Sequence, residues 1–525
     1  MKIMFIINDL GVNEPFGPMM LSAIVKQKGH QTTLGVLQQE NVEAKIDSWK
    51  PDMIAYSMMS VDMADMKKFN DNLRMRKKVF TLLGGPHATL DRSCIDDPNI
   101  DAICVGEGDK AILEVVNNLE KGKSLEGIPN IMVSSDSKLE LMDFIEDLDA
   151  LPFMDRDLVY QYPEMAKFGI KGIWASRGCP YPCPYCFNNR FNALYKGKGK
   201  IVRRRSVDSI IRETKELVKN YRVAFVRMQD DVFVHKVDDW LKEFAKRWAE
   251  EIKIPFYCLL RSETISDEMA YYLKKAGCFS ICMSIEAGDD MLRNRMLRRR
   301  ISKEKLEEAF KIFKKHKINV YANTMLALPF STLDQDIASV DFAIKVQPDM
   351  PNFSIFMPYP GTDLGDYCKQ AGIYYADKED INYGMRNASP LDCFPEKEKN
   401  AQYNLCQLAI VAVKFPALRN LIINHLIYWK SNKLFFFTHY FFAITTYGRK
   451  IFYFKHTLRE YVELIVRTLK HYFYDFLSKS SQDVVGKKGI AGQTIRIQNK
   501  NRYDRIIELE KCMEAMAKNT LVNNG

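Results

Sequence analysis

Short apolar runs alternate with amphipathic stretches of helical length along the first 120 residues. "IMFII" (Ile3–Ile7) leads into "PMMLSAIVKQKGH", whose apolar positions recur at helical spacing. "TTLGVL", a helix near Val42–Trp49, "MIAYS", a helix near Met63–Arg76, "VFTLLGG", "AICVGEG" and the helix "KAILEVVNNLEKG" follow in turn. Strand and helix exchanging at this interval predict a doubly wound α/β domain on a parallel sheet. Such sheets bind ligands at the carboxyl ends of their strands. At those ends stand Ser57 to Ser60 after the third strand, Gly84, Gly85, Pro86 and His87 after the fourth, and Gly106, Glu107 and Gly108 after the fifth. Glycines there let backbone approach a bulky ligand, or simply make tight turns.

Residues 131–170 show little periodicity and read as a linker. From Lys171 the alternation resumes: "KGIWASRG", helix Val207–Asn220, "VAFVRMQDD", helix Val237–Glu250, "PFYCLLR", helix Asp267–Ala276, "FSICMSIEAG", helix Lys303–His316, "NVYANTMLALP", helix Leu333–Val346 and "NFSIFMPYPG". About six β/α units predict a partial (β/α)6 TIM-type barrel rather than a closed one. After Cys393 strand signals fade and basic, aromatic-rich sequence predicts a mainly helical region. It ends in a loose connector, "SKSSQDVVGKKGIAGQTIRIQNKN", and a short helix, Arg502–Ala517. The expected organisation is 1–130, linker 131–170, barrel 171–392 and helical domain 393–525.

Composition narrows the function classes. Hydrophobic content of 47% and charged content of 27% are ordinary for a folded soluble chain. The net charge of +10 is spread along the sequence, as in a mildly basic enzyme. "MKIMFIINDLG" reads as a first strand, not a signal peptide. No apolar run reaches the roughly 18 residues of a membrane span. Twelve cysteines without disulfide-scaffold density suit a reducing, cytoplasmic setting, where clustered thiols bind metal or do chemistry.

The cluster is "CPYPCPYC": Cys179, Cys183 and Cys186, with Pro180, Pro182 and Pro184 holding the loop extended. Structural zinc takes four ligands, usually as two separated pairs. Iron–sulfur clusters also take four thiolates as a rule, so three leave one iron open. Zinc and redox-thiol readings stay open at this point.

C-x3-C-x2-C with Tyr185 before the last cysteine, just after the first strand of a partial barrel, resembles the radical SAM superfamily signature. That resemblance implies a 4Fe-4S cluster on the three cysteines and S-adenosylmethionine (SAM) on the open iron, cleaved to a 5'-deoxyadenosyl radical. "RRRSVDSIIRE" followed by Gln229-Asp230-Asp231-Val232-Phe233 is similar to the cobalamin-binding subgroup. By this resemblance Tyr185, Asp230 and Asp231 face SAM, Arg261 meets its carboxylate, and Ser284 or Glu286 its ribose. "LALPFST" replaces the usual G-x-P-G-E-T, which leaves adenine contacts there open. "PFGPMMLSAIVKQKGHQTTL", "PDMIAYSMMS", "LLGGPHAT" and "IDAICVGEGD" look in order like a Rossmann-like cobalamin-binding domain. Ser57, Ser60, Gly84, Gly85, Gly106, Glu107 and Gly108 are then its cobalamin-binding candidates. The family's D-x-H-x-x-G motif is absent from "NDLGVNEPFG", so no axial histidine comes from that loop. Asn8 and Asp9 lie there instead, and His87 is the histidine nearest the expected pocket.

The resemblance implies C-methylation of an unactivated carbon. The alternatives are an oxidative cyclase using the same cofactors, or a cobalamin-binding sensor with a structural cluster. No catalytic residue is assigned. The implied partners are a small-molecule, lipid or other hydrophobic substrate and a reductant such as flavodoxin or ferredoxin. No RNA-binding motif is present. "NHLIYWKSNKLFFFTHYFFAITTYGRKIFYFKHTL" reads either as helix packed on the barrel or as a basic aromatic surface for peripheral membrane contact.

Overall fold

The strands that read as continuous apolar runs lie at the centres of two parallel sheets, buried on both faces as parallel sheets are. The computed structural model describes residues 1–11, 14–374, 388–453, 504–509 and 511–512. In the first sheet β1 (Lys2–Ile7) lies between β2 (Gln31–Val36) and β3 (Met53–Ser57), followed by β4 (Phe80–Gly84) and β5 (Ala102–Cys104). Strand order reverses at β1, so helices cover both faces, as the doubly wound reading requires. The stretch read as linker also contributes: β6 (Ile131–Met132) pairs antiparallel to β5. Short helices at Asp157–Tyr160 and Pro163–Lys167 then lead to the second sheet.

That sheet runs β7 (Ile170–Ile173), β10 (Phe225–Met228), β11 (Phe256–Leu259), β12 (Cys278–Cys282), β13 (Asn319–Leu326) and β14 (Met350–Ile355), all parallel and in chain order. Each crossover advances by one strand, as in a barrel, and six strands leave it open. "KGIWASRG" is not one strand. It breaks after β7, and β8 (Ser176–Arg177) pairs antiparallel with β9 (Arg203–Arg204) as a separate hairpin. The helix expected from Val237 starts at Asp239, because the Asp238 side chain accepts from the Leu241 amide and caps it. Of the final helix, residues 504–509 and 511–512 are helical, and the rest of that expectation, with the connector before it, falls outside the described residues.

The C-terminal part is helical and built into the barrel. Helix Glu396–Lys414 lies against β14, and Gln402 in it donates to Asp336 at 2.9 Å. Ser280 of β12 donates to the Ile451 carbonyl at 2.6 Å, and the Phe452 ring meets Phe225 and Tyr257 at 5.7 and 5.0 Å.

One buried charge network joins the two sheets. Arg205 donates to Glu213 at 2.5 Å, Arg156 to Glu213 at 2.9 Å, and Arg156 reaches Glu14 at 3.5 Å. Glu14 also accepts from the Tyr160 hydroxyl and, at 2.5 Å, from the Gly172 amide. The "RRRSVDSIIRE" motif is thus the barrel's half of this network. Removing one partner strands the others in low dielectric. Glu213→Ala is expected to cost about 3–5 kcal/mol, read as a lower urea midpoint than for the wild type.

Candidate functional site

A cavity of about 410 Å³ opens between the carboxyl ends of β3, β4 and β5 and the barrel residues that flank the cysteine loop. Ser57, Gly84, Gly85, Gly106, Glu107 and Gly108 line one side. Trp174, Ser176, Arg177, Gly178, Gln229 and Asp231 line the other, with Phe187, Asn188 and Phe191 from the helix Phe187–Leu194. Two glycines are required by the protein's own packing, which is the turn reading of the two weighed in the sequence. Gly85 has φ +96°, and a Cβ there would come within 2.9 Å of Met58 backbone. Gly106 has φ +84°, and a Cβ there would collide with the Tyr195 hydroxyl. Its glycine edge and largely aromatic and aliphatic lining suit a broad, flat ligand with polar substituents, so the residues fit a corrinoid.

Ser60 lies outside that lining and meets His87 Nδ1 at 3.0 Å, with His87 only 2% exposed. Asn8 donates to Asp62 at 3.1 Å and to Asp65 at 3.2 Å, while Asp9 accepts from Gln39 at 2.8 Å. These three candidates of the β1 and β3 loops are therefore engaged with protein partners.

The turn after β5 also grips the barrel. Arg203 donates to both oxygens of Glu107 at 2.9 and 2.6 Å, and Arg177 to both of Asp109 at 2.8 and 2.9 Å. Burial pushes the Asp109 carboxyl up, yet Arg177 outweighs it and holds the group below its usual range. Tyr195 accepts from the Glu107 amide and from Asn130 Nδ2, each at 2.8 Å. Asp109, Arg177, Arg203 and Tyr195 were not singled out from sequence. Asp109 stands one residue past the glycine motif, and the arginines lie in quoted motifs, but nothing local pairs them.

Across the cavity, Gly178 at φ +89° turns the chain out of the hairpin into the cysteine loop. Cys179 and Cys183 are buried, and Cys186 is half-buried at the start of helix Phe187–Leu194. The Cys186 amide donates to the Cys183 carbonyl at 3.0 Å, and Asn192 donates to the Cys179 carbonyl at 2.7 Å, so the loop is held wrapped. Among the described residues no three His, Cys, Asp or Glu side chains gather as a single-ion site would require. The thiols of a cubane cluster are set wider, around its corners. Burial pushes the Cys179 thiol up to about 11 and the Cys186 thiol up to about 12. Arg261 donates to Cys183 Sγ at 3.0 Å and lies 3.8 Å over the Tyr181 ring. Two buried thiols and a half-buried one, with a guanidinium on one sulfur, fit an iron–sulfur cluster.

The two adjacent aspartates separate. Asp231 is exposed on the cavity, bonded to Asn188 and the Gly178 backbone. Asp230 is buried behind the loop, where Oδ1 accepts from the Ala175 amide at 3.0 Å, the Ser176 amide at 2.5 Å and the Ser176 hydroxyl at 2.6 Å. Its Oδ2 is buried without a hydrogen bond, and burial raises its pKa from 3.8 to about 7. A second charged cluster gathers the remaining candidates. Tyr185 donates to Glu286 at 2.8 Å, and Arg299 donates to Glu286 at 2.7 Å and to Glu263 at 3.0 Å. Arg261 closes it by donating to Glu263 at 2.7 Å. Ser284 is half-buried just past β12. Arg299 and Glu263 escaped sequence reading, since neither belongs to a spaced motif.

Two outcomes follow. An Asp230 proton is held in the folded chain and released in the unfolded one between pH about 4 and about 7, so stability falls as pH rises through that window. Asp230→Asn should flatten this slope in urea titrations of cofactor-free protein. Arg203→Ala leaves Glu107 only its longer contact with Arg177, 3.7 Å, and should weaken cobalamin retention by about tenfold or more, measured by equilibrium dialysis, with iron content unchanged.

Comparison with known proteins agrees with this geometry. Residues 5–116 match the B12 binding domain and residues 175–343 the radical SAM superfamily. An uncharacterized methyltransferase of Pyrococcus horikoshii is 26% identical over 67% of this chain and 78% of its own. The anaerobic magnesium-protoporphyrin IX monomethyl ester cyclase of Rubrivivax gelatinosus is 24% identical over 62% of this chain and 60% of its own. The fold is that of the radical SAM methyltransferase TsrM of Kitasatospora setae, at TM-score 0.63 and 15% identity over 90% of this chain and 99% of that one. Methylating relatives favour a methylating enzyme over a cyclase, and the sensor reading falls. Two family matches lie on the two halves of one cavity, and the chain belongs to the cobalamin-binding radical SAM enzymes, with a 4Fe-4S cluster, S-adenosylmethionine and cobalamin as cofactors.

Proposed function

We propose that the protein is a C-methyltransferase acting on an unactivated carbon of a small, hydrophobic or lipid-like substrate. The observation that carries this is one cavity: the glycine turns of the first sheet line one side, and Gly178, Phe187 and Asn188, the residues that flank the cysteine loop, line the other. When bound, SAM on the cluster supplies a 5'-deoxyadenosyl radical and cobalamin supplies a methyl group.

The chain's own part is to hold and to shield. Cys179, Cys183 and Cys186 hold the cluster, and Arg261 donates to the Cys183 sulfur. Asp231 presents a carboxylate to the cavity for the SAM ammonium, while Asp230 fixes the Ala175 and Ser176 amides that shape the wall. Arg261, Ser284, Glu286 and Tyr185 bound the rest of the SAM site, with Arg299 holding Glu286 in place. Ser57, Gly84, Gly85, Gly106, Glu107 and Gly108 shape the corrinoid side, whereas Ser60 bonds to His87 outside the lining. A flavodoxin or ferredoxin supplies electrons in a reducing cytoplasm.

The cyclase relative favours a second reading, ring formation without methyl transfer. Full-length protein, reconstituted anaerobically, should be given methyl-deuterated SAM, reductant and a hydrophobic metabolite extract. Methylation yields a product carrying the labelled methyl, with 5'-deoxyadenosine and S-adenosylhomocysteine in equal amounts. Cys183→Ala should lose all three. Deoxyadenosine without S-adenosylhomocysteine or labelled product would decide for the second reading.

A further inference from the structure

From Ala401 to Tyr453 the chain carries six basic residues, Lys414, Arg419, Lys430, Lys433, Arg449 and Lys450, and no aspartate or glutamate. The same stretch exposes apolar surface out of proportion to its length. Of thirteen large hydrophobic side chains that stand exposed among the described residues, nine lie between Phe415 and Tyr453. Isolated exposed apolar residues are normal on any protein, but contiguous ones mark contact surfaces.

Those on helix Lys433–Thr446 and next to its two ends form one ridge. On helix Lys433–Thr446, Leu434, Phe437 and Phe441 recur at i, i+3 and i+7 and point outward, whereas Phe435, His439 and Thr446 are buried. Leu434 is 69% exposed and Phe441 63%. At the first turn the ring of Trp429, itself 56% exposed, stacks on Phe435 at 6.2 Å. At the far end Phe442 meets Phe415 at 5.6 Å, which carries the ridge onto the turn Pro416–Leu418.

The exposure is held in place. The Trp429 carbonyl accepts from Asn404 at 2.7 Å and from Asn400 at 2.8 Å, and Asn404 also donates to the Ile427 carbonyl at 3.0 Å. The Ser431 amide donates to Asn400 at 3.1 Å. Two asparagines of helix Glu396–Lys414 thus fix the backbone that presents Tyr428 and Trp429 to solvent, with exposed Lys430 beside them.

Charge decides what this ridge meets. Arg419 and Lys450 pair with Asp341 and Asp349 of neighbouring elements. The stretch itself carries no acidic residue, and Lys430 and Arg449 stand exposed on it. A second copy packed face to face would set this basic surface against itself. An anionic bilayer complements it, and tryptophan and tyrosine with lysine alongside are the side chains that settle at a headgroup boundary. No helix among the described residues is long and apolar enough to cross a membrane, so the contact is peripheral.

We propose that this ridge docks the protein on an anionic lipid surface, with Trp429, Leu434 and Phe441 entering the headgroup boundary and Lys430 contacting lipid phosphate. The proposal stands apart from the methylation reading and does not depend on it. The test is co-sedimentation of the full-length, cofactor-loaded protein with phosphatidylcholine vesicles, with and without phosphatidylglycerol, at low and high salt. Binding is expected on the anionic vesicles at low salt, weakening roughly tenfold at high salt or on neutral vesicles. The triple variant Trp429→Ser, Leu434→Ser, Phe441→Ser should weaken it about tenfold or more, with iron and cobalamin content unchanged. Should that variant not fold, the double variant Lys430→Glu, Arg449→Glu reads the same contact and should lose anionic-vesicle binding. Absence of binding to anionic vesicles at low salt would overturn the proposal, as would unchanged binding by a folded variant. A dimer in analytical ultracentrifugation that the triple variant dissolves would give the ridge to a second copy instead.

Discussion

Arg203 and Arg177 leave the barrel's hairpin as two forks, and each takes a carboxylate of the turn after β5: Glu107 and Asp109. The position of everything else in the cavity depends on this grip. The Arg203 guanidinium also lies 4.0 Å over the Phe144 ring, Phe144 stacks on Tyr195 at 4.2 Å, and Tyr195 closes over Gly106. The chain of contacts therefore runs from the barrel, through a segment that looked like linker, to the glycine that shapes the corrinoid side. Planar bidentate pairs fix orientation as well as distance. With the side chain of Arg203 1% exposed, loss of either partner would leave a buried charge. Two separately folded sheets are thereby held as two walls of one site.

Strain concentrates on the opposite wall. Glu286 sits at φ +63°, bridged to Thr324, and its carbonyl accepts from the Met325 amide at 2.8 Å. In "LALPFST", Ala327 and Phe330 stand where the family pattern has glycine, and both adopt left-handed backbone, φ +54° and +60°. Residues other than glycine hold left-handed backbone at both positions here. Each such residue costs about 1–2 kcal/mol. Asp336 offsets part of that by accepting from the Ala327 amide at 3.0 Å while also receiving Gln402 from the C-terminal helices. A missing glycine is thus weak grounds for doubting a loop's shape.

Local pattern carried the reading as far as local physics reaches. Helices Val42–Trp49, Val207–Asn220, Asp267–Ala276 and Leu333–Val346 fall where periodicity and capping residues put them. The cysteine spacing and the glycines at strand ends were visible because loops around a cluster or a flat ligand need those residue types in short order. Pairings such as Arg203 with Glu107 or Arg299 with Glu286 are set by the fold, and no spacing rule announces them. Nor could adjacency tell Asp231 from Asp230. One faces the cavity and the other lies behind it because the turn after β10 points successive side chains apart.

The C-terminal helices also decide how their surface can be studied. Helix Glu396–Lys414 covers β14, the last strand of an open barrel, and Phe452 fills space between Phe225 and Tyr257. Tyr447 meets Tyr321 of β13 at 5.4 Å. Cutting the chain after Asn400 would strip the wall from the barrel and expose its aromatic interior, so vesicle binding by such a fragment would report on unfolded core. The side chains of Trp429, Leu434 and Phe441, by contrast, make none of these ring contacts with the barrel. Point changes at Trp429, Leu434 and Phe441 leave the barrel wall in place, which makes them the clean way to separate surface from scaffold.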